Sequence, residues 1–416
     1  MFATRLFVFV CLSSLVGFGA LPVAAESTTA DAKSQTPTDA SAAAATAVEA
    51  TAAVSLRDGR LFDPGVTMTT PAEGAPAELA RLTPFVGDWD VEMDVIRPGP
   101  DGPTVLQSTG RAKVTFMNRG HAVLERVRVA DFDGQGHAMS THTFLVVDGN
   151  GTWSASEANS WTQSIVVTSG GFEDDGRLVL HHASRAGGGP ALMHFRRTYT
   201  AAPTGEGATL DRFTMTLEMS TDLAKTWATV VERRFTRRSA SDDFFPVRDD
   251  VGEPASDLVA EAGQFDFLLG EYTATHWLKR PTGELRWQSD ATAVRILDGH
   301  GILEFSSFDT DPNKPDVATS IIRLYNQSMR RWESLYLTNR TQSPLYFGGV
   351  REGDRMVLHP FAAQTGANPI FQWIFFDVEE NTYRWKGIQS NDRGVTWDPT
   401  WTIDFVRKGT EDADAG

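Results

Sequence analysis

Large apolar side chains in this chain fall in short runs, not at helical spacing. Val123-Leu-Glu-Arg-Val-Arg-Val129, Thr143-Phe-Leu-Val-Val147 and Ile321-Ile-Arg-Leu-Tyr325 are typical, rich in β-branched or aromatic residues and separated by clusters of Gly, Asn and Asp. Runs of this kind predict strands closed by turns. Phe371-Gln-Trp-Ile-Phe-Phe376 alternates imperfectly and reads as a strand buried on both faces or turned toward a lumen. From Glu26 to about Ala53 the pattern vanishes into Ala, Thr, Ser and Asp, a composition that buries too little surface to offset ordering entropy. We assign residues 26–77 to a disordered tether.

The runs repeat. Thr-Pro-Phe85-Val-Gly87-Asp-Trp89 corresponds to Asp-Phe267-Leu-Leu-Gly270-Glu-Tyr272, and Gly120-His121-Ala-Val-Leu124-Glu125 to Gly299-His300-Gly-Ile-Leu303-Glu304. Thr162-Gln-Ser164 returns as Thr341-Gln-Ser343, and Gly170-Gly171 with Leu180-His181 returns as Gly348-Gly349 with Leu358-His359. Last, Ser220-Thr-Asp222 with Thr226-Trp227 matches Ser390-Asn-Asp392 with Thr396-Trp397, each before a closing strand that carries Phe235 or Phe405. Five collinear matches identify a tandem duplication. The copies span residues 78–240 and 263–409, joined by 241–262 and followed by an acidic tail, 410–416, expected to be disordered. With about eight to ten strands each, they predict two antiparallel β-barrels or sandwiches.

The opening pattern Phe265-Asp-Phe267-Leu-Leu-Gly270-Glu-Tyr272 resembles the start of a bacterial family of exported domains of unknown function, number 1579. The strand ending at Glu125 or Glu304, the turns before Trp153 and Trp332, and the Ser390-to-Trp397 hairpin resemble its other marks, though Ala224 replaces the hairpin glycine in the first copy. The resemblance implies a calycin, or lipocalin-like, up-and-down barrel able to hold one small apolar ligand. It implies no catalytic residues. The hairpin also looks like the aspartate box of β-propellers, but two copies do not make the four or more blades of a propeller.

Comparing the copies singles out chemistry. Four of the nine histidines are repeat-matched, His121 with His300 and His181 with His359, and glutamates Glu125 and Glu304 lie four residues beyond the first pair. On a strand, such a His and Glu share a face about 13 Å apart, too far for one strand to clamp a metal. We expect each barrel to gather these groups around a pocket lined by Trp89 or Tyr272, giving as candidate ligand-binding residues Trp89, His121, Glu125, His181, Tyr272, His300, Glu304 and His359. The alternative is that the repeated histidines brace turns or face solvent.

No G-x-S-x-G, P-loop, Rossmann or H-E-x-x-H pattern is present, so no standard catalytic machinery, metal or cofactor is expected. An enzyme of the isomerase, cyclase or hydrolase type using His and Glu is the alternative to a binding protein, and an interaction module is a third reading. Residues 1–25 carry one charge, Arg5, an apolar stretch and a Val23-Ala24-Ala25 end, which reads as a signal peptide cleaved after Ala25. A periplasmic or secreted location follows, with no transmembrane segment in the mature chain. Cys11, the single cysteine, leaves with that segment, so no disulfide is available. A formal charge of −16 argues against nucleic-acid partners. A small hydrophobic ligand remains the expected partner.

Overall fold

The computed structural model describes residues 69–99, 101–185, 192–201, 210–239, 252–281, 283–308, 317–340, 344–361 and 370–409. The expected signal peptide, most of the expected tether, residues 240–251 of the expected linker and the acidic tail lie outside them. The first barrel comprises β1 (Gly87–Arg97), β2 (Thr104–Met117), β3 (Ala122–Val129), β4 (Met139–Val147), β5 (Trp153–Asn159), β6 (Ser164–Phe172), β7 (Leu178–Arg185), β8 (Leu192–Ala201), β9 (Arg212–Ser220) and β10 (Ala228–Arg237). The second comprises β11 (Gly270–Arg280), β12 (Gly283–Ile296), β13 (Gly301–Phe308), β14 (Val317–Asn326), β15 (Arg331–Thr338), β16 (Leu345–Glu352), β17 (Arg355–Pro360), β18 (Ile370–Phe376), β19 (Thr382–Ser390) and β20 (Asp398–Arg407). Each strand pairs antiparallel with its neighbours in sequence, and the first pairs with the last, so both sheets close into rings. Closure leaves no edge strand and gives every side chain a lumen or an outer-wall address.

One end of each barrel is capped by 3₁₀ turns, Ala77–Phe85 in the first and Ala260–Gly263 with Asp266–Leu268 in the second. Leu79, Leu82 and Phe85, and correspondingly Phe265 and Leu268, are buried in the lumen cores. The F-x-x-G-x-[WY] pattern is the lock for this cap. Trp89 Nε1 donates to Phe85 O at 2.9 Å, and Tyr272 Oη donates to Phe267 O at 2.5 Å. Across the closing pair, Trp89 faces Arg237 and Tyr272 faces Arg407. Each guanidinium lies over the aromatic ring, at 4.2 and 4.7 Å from the centroid, and donates to cap carbonyls, Arg237 to Pro84 O and Val86 O, Arg407 to Leu269 O. The guanidinium occupies the space a Cβ would take at Gly87 or Gly270, both at positive φ (141° and 114°).

The late hairpins are braced alike. Ser220 Oγ and Ser390 Oγ accept the backbone N–H of Ala224 and Gly394 at 3.0 and 2.7 Å, while Asp222 and Asp392 accept Thr226 and Thr396 hydroxyls at 2.6 Å. These hydroxyl bonds hold both carboxyls down to about 2. Ala224 keeps the fold of its glycine counterpart at φ 64°, so the turn is strained, not rebuilt.

The barrels pack wall to wall. Ala122, Leu124, Phe144, Val146 and Ile165 of the first meet Val294, Leu303, Ile322, Leu324 and Leu335 of the second in one buried apolar cluster. Arg128 and Ser140, at the uncapped ends of β3 and β4, bond Asp298 in the turn at the capped end of the second barrel. Asn118, at the capped end of the first, accepts from Ser320 near the uncapped start of β14. The barrels therefore lie antiparallel, capped end beside uncapped end. Ala72, from the segment expected to be a tether, and Ala255, from the expected linker, bond the capped ends: Ala72 N donates to Gly120 O and Ala255 N to Gly299 O.

Replacing Gly87 or Gly270 by Ala should displace the arginine from its cap and strain the backbone, lowering stability by about 2–3 kcal/mol in urea unfolding. Ala224→Gly should act oppositely, raising stability by about 0.5–1 kcal/mol through relief of left-handed strain. Equal stability of the Ala224→Gly variant and its parent would mean that the turn carries no strain.

Candidate functional site

Alternation places the repeated glutamates in the lumens. Val123, Glu125 and Val127 point inward from β3, and Ile302 and Glu304 from β13, while Leu124 and Leu303 face the wall between barrels. The histidines do not join them. His121 sits in the β2–β3 turn at the capped end, its Nδ1 3.1 Å from Arg119 O. His300 occupies the same turn in the second copy, with Nδ1 2.9 Å from Leu297 O and Nε2 2.9 Å from Asp257 Oδ1, tying the entering chain to the barrel. On β7, Leu178 and Leu180 face the lumen core and His181 is exposed on the outer wall, its ring 6.3 Å from that of Trp227. Burial and Arg196 lower its pKa. His359 shares that parity on β17, next to lumen-facing Leu358. The expected His–Glu–His pocket does not form, because the two histidine pairs fall in a turn and on the outer wall. Trp89 and Tyr272 are fully buried under the caps rather than lining an opening.

What surrounds the glutamates was not visible from the repeats. In the first barrel Glu157 Oε2 accepts Arg197 Nη2 at 2.7 Å, and Arg233 Nη1 lies 3.9 Å from Glu157 and 4.0 Å from Glu125. Thr143 Oγ1 and Asn159 Nδ2 also reach Glu157, each at 3.4 Å. Burial raises Glu125 to about 6, against the pull of Arg233 and Arg197. Burial opposes ionisation of Glu157 too, but the two arginines and its hydrogen bonds outweigh it and its pKa is lowered. Tyr199, one step along β8 on the same face as Arg197, is driven up by burial and by the Glu125 charge. Arg197 and the Tyr199 hydroxyl lie side by side, and Arg233 Nε and Nη1 and the facing Glu125 Oε1 make no hydrogen bond among the described residues.

The second barrel keeps the glutamate and changes the rest. Glu304 Oε2 accepts Arg323 Nη1 at 2.7 Å, from β14. Strand register puts Arg323 where the first copy has Leu145, and Tyr336, Trp373, Phe375 and Ile403 where it has Glu157, Arg197, Tyr199 and Arg233. Toward the uncapped end the lumen is aromatic. His276 stacks on Trp287 (centroids 4.6 Å, 9°), faces Trp401 at 5.7 Å, and bonds Ser289 Oγ through Nε2 at 2.8 Å. Trp373 lies against Phe347, Tyr336 and Trp385. Trp287, Tyr336, Trp373 and Trp401 are only half-buried, and Leu345 and Phe371, on the lumen side of β16 and β18, are exposed. The first barrel's uncapped end is filled instead: the β3–β4 loop folds Phe132 into the core, edge-on to Trp161 at 5.2 Å.

No family model matches the chain, and no curated protein matches it. Solved structures do. An S-type phycobiliprotein lyase from Guillardia theta is 14% identical over 36% of this chain and 92% of its own, with a TM-score of 0.26. A DUF3598-family protein of unknown function from Nostoc punctiforme is 12% identical over 80% and 99%, TM-score 0.22, and an AttH-type protein from Nitrosomonas europaea 8% over 83% and 98%, TM-score 0.15. Among the described residues no helix is long and apolar enough to cross a membrane, and no group of three or more His, Cys, Asp or Glu side chains could hold a metal.

Two buried histidines set an acid limit. Burial lowers His276 to about 3, and burial with the Arg126 charge does the same to His142 at the wall between barrels. Unfolding releases both to an ordinary pKa near 6.5, so the unfolded chain binds more protons and stability falls as pH drops from 6.5 toward 3, by up to about 1.4 kcal/mol per pH unit for each. Glu125, raised in the fold, works in the opposite sense between about 4.5 and 6 but is one group against two. Urea unfolding at pH 7, 5.5 and 4 should show the decline, and His276→Phe should flatten it.

Proposed function

We propose that this chain is an exported binding protein, of the kind in unknown-function family 1579, that takes a small hydrophobic molecule into the uncapped half of its second barrel. The carrying observation is the set of half-buried tryptophans on the lumen side, Trp287, Trp373 and Trp401, with Tyr336 among them and exposed Leu345 and Phe371 at the rim. A cluster of aromatic side chains left partly open at the mouth of a barrel is the kind of apolar wall that small-molecule sites use. About eight strands already enclose room for one small ligand, and ten make a wider ring. His276 and Ser289 supply a polar handle within an otherwise apolar wall. Export rests on residues 1–25 and family membership on the F-x-x-G-x-[WY], G-x-x-L-E and S-x-D-x-G-x-T-W marks, of which the first has the cap-locking geometry described above. The four repeated histidines on which an acid–base enzyme was expected to rest lie in turns or on the outer wall, apart from the lumen glutamates.

Titration of the full chain with 1-aminoanthracene, a planar apolar probe, should quench tryptophan emission with one saturable site. Trp401→Ala should weaken that binding about tenfold, or 1.4 kcal/mol, whereas Trp227→Ala on the outer wall should not change it. Unaltered affinity in Trp401→Ala would remove the site from the second barrel.

A further inference from the structure

The mouth of the second barrel opens beside the point where the chain enters the first. Ala72 N donates to Gly120 O in the β2–β3 turn, and Asn118 in that turn accepts from Ser320, three residues beyond the uncapped start of β14. Three residues of strand rise about 10 Å, so the entering chain stands close to the rim of the second barrel. Around that rim Leu345 on β16 and Phe371 on β18 are 45% and 41% exposed, with half-buried Trp373 and Trp401 below them. Neighbouring strands lie about 4.8 Å apart, which puts Leu345 roughly 10 Å and Phe371 roughly 20 Å around the ring from β14.

The residues that precede the described chain change character along their length. From Glu26 to Ala53 the largest apolar side chain is Val48, whereas Leu56, Leu61, Phe62, Val66 and Met68 all fall between residues 54 and 68. A solvated tether has no use for such a concentration, and each leucine or phenylalanine left in water forgoes about 1.5–3 kcal/mol of burial. We propose that the segment from Val54 to Met68 docks in the mouth of the second barrel, seating Leu61 and Phe62 against Leu345, Phe371 and Trp373, so that the chain carries its own plug for that lumen. Reach allows it. Seven residues separate Thr69 from Phe62, and at about 3.3 Å each they span about 23 Å, enough for Phe62 to meet either rim residue. Charge favours this segment over a second copy of the chain: the whole chain carries −16 and copies repel, whereas between residues 54 and 68 Arg57 and Arg60 cancel Asp58 and Asp63. Tethering keeps the effective concentration near the millimolar range, so a contact of modest affinity covers the mouth until a tighter-binding molecule displaces it. The proposal rests on the exposure of the mouth and not on the small molecule assigned to it.

Hydrogen exchange of the full chain reads the plug. Amides of β16 and β18 near Leu345 and Phe371 should exchange about fivefold more slowly in the parent than in a Leu61→Ser, Phe62→Ser variant, whose substitutions touch neither barrel core, while amides of β1 and β10 should not differ. A synthetic peptide of residues 54–68 added to that variant should restore the protection. The variant should also bind 1-aminoanthracene about fivefold more tightly than the parent, as follows when the open mouth is about a fifth of the population, and the peptide should displace the probe. Equal exchange in parent and variant with no effect of the peptide would overturn the plug. Protection that grows with protein concentration would overturn it too, by assigning the mouth to a second copy. The two readings of the mouth fail separately: a probe that binds parent and variant alike removes the plug and leaves the apolar site, whereas a peptide that protects a variant to which no probe binds upholds the plug and removes the small-molecule site.

Discussion

Ring closure is the constraint on which this protein depends. When the first strand pairs with the tenth, no backbone edge remains and the two-residue period of a strand becomes a strict sorting of side chains into lumen and wall. The lock at the capped end makes the closure specific. A glycine leaves a gap, an arginine from the last strand fills it, and the aromatic two residues on is held between that guanidinium and the cap. Everything of chemical interest follows from the sorting: Glu125 and Glu304 are inward because Leu124 and Leu303 are outward, and His181 is outward because Leu180 is inward.

A buried carboxylate in such a ring demands a counter-charge, and the two copies supply it from different strands. Arg323 on β14 answers Glu304 directly, whereas Glu125 stands 4.0 Å from Arg233 on β10 and shares it with Glu157. The second solution is a single pair beside the rings of Phe265 and Phe375, with Arg323 Nε left without a hydrogen-bond partner among the described residues. The first is a four-charge cluster in which Arg233 keeps donor capacity to spare. Since breaking a buried pair typically costs about 3–5 kcal/mol, the cation could move between strands only if an intermediate carried both arginines or a protonated glutamate. The raised Glu125 carboxyl is the kind of group that makes the second route accessible.

The repeat made the architecture legible because strand runs, turn glycines and the cap motif are local signals, read within about ten residues. The same repeat does not mark the lumen chemistry. It selects what both copies retain, and what both retain here is framework: His121 and His300 brace the turns where the chain enters each cap, and Trp89 and Tyr272 lock them. The lumen groups that differ, Arg197, Tyr199 and Arg233 against Trp373, Phe375 and Ile403, were invisible to a search for identity. A signal did exist. On β8, Met193, Phe195, Arg197 and Tyr199 share one parity, so a charge stands in a row otherwise reserved for core. Phe371-to-Phe376 was legible as a two-sided strand: Trp373 and Phe375 face the lumen, and Ile374 and Phe376 lie under Trp397 on the wall.

The antiparallel packing adds a constraint on how the two lumens could communicate. Asp298 at one capped end grips Arg128 and Ser140 near the other barrel's uncapped end, so the two uncapped ends point in opposite directions. A flat surface therefore cannot meet both uncapped ends at once. The wall between the barrels is nevertheless continuous, from Leu124 and Phe144 to Leu303 and Leu324, and those side chains share strands with Glu125, Thr143, Glu304 and Arg323. Any ligand that shifts β3 or β4 in one lumen therefore moves the surface on which the other barrel rests. A shift of side chains in one lumen would reach the other through that packed wall, as a change in fit between interdigitated side chains.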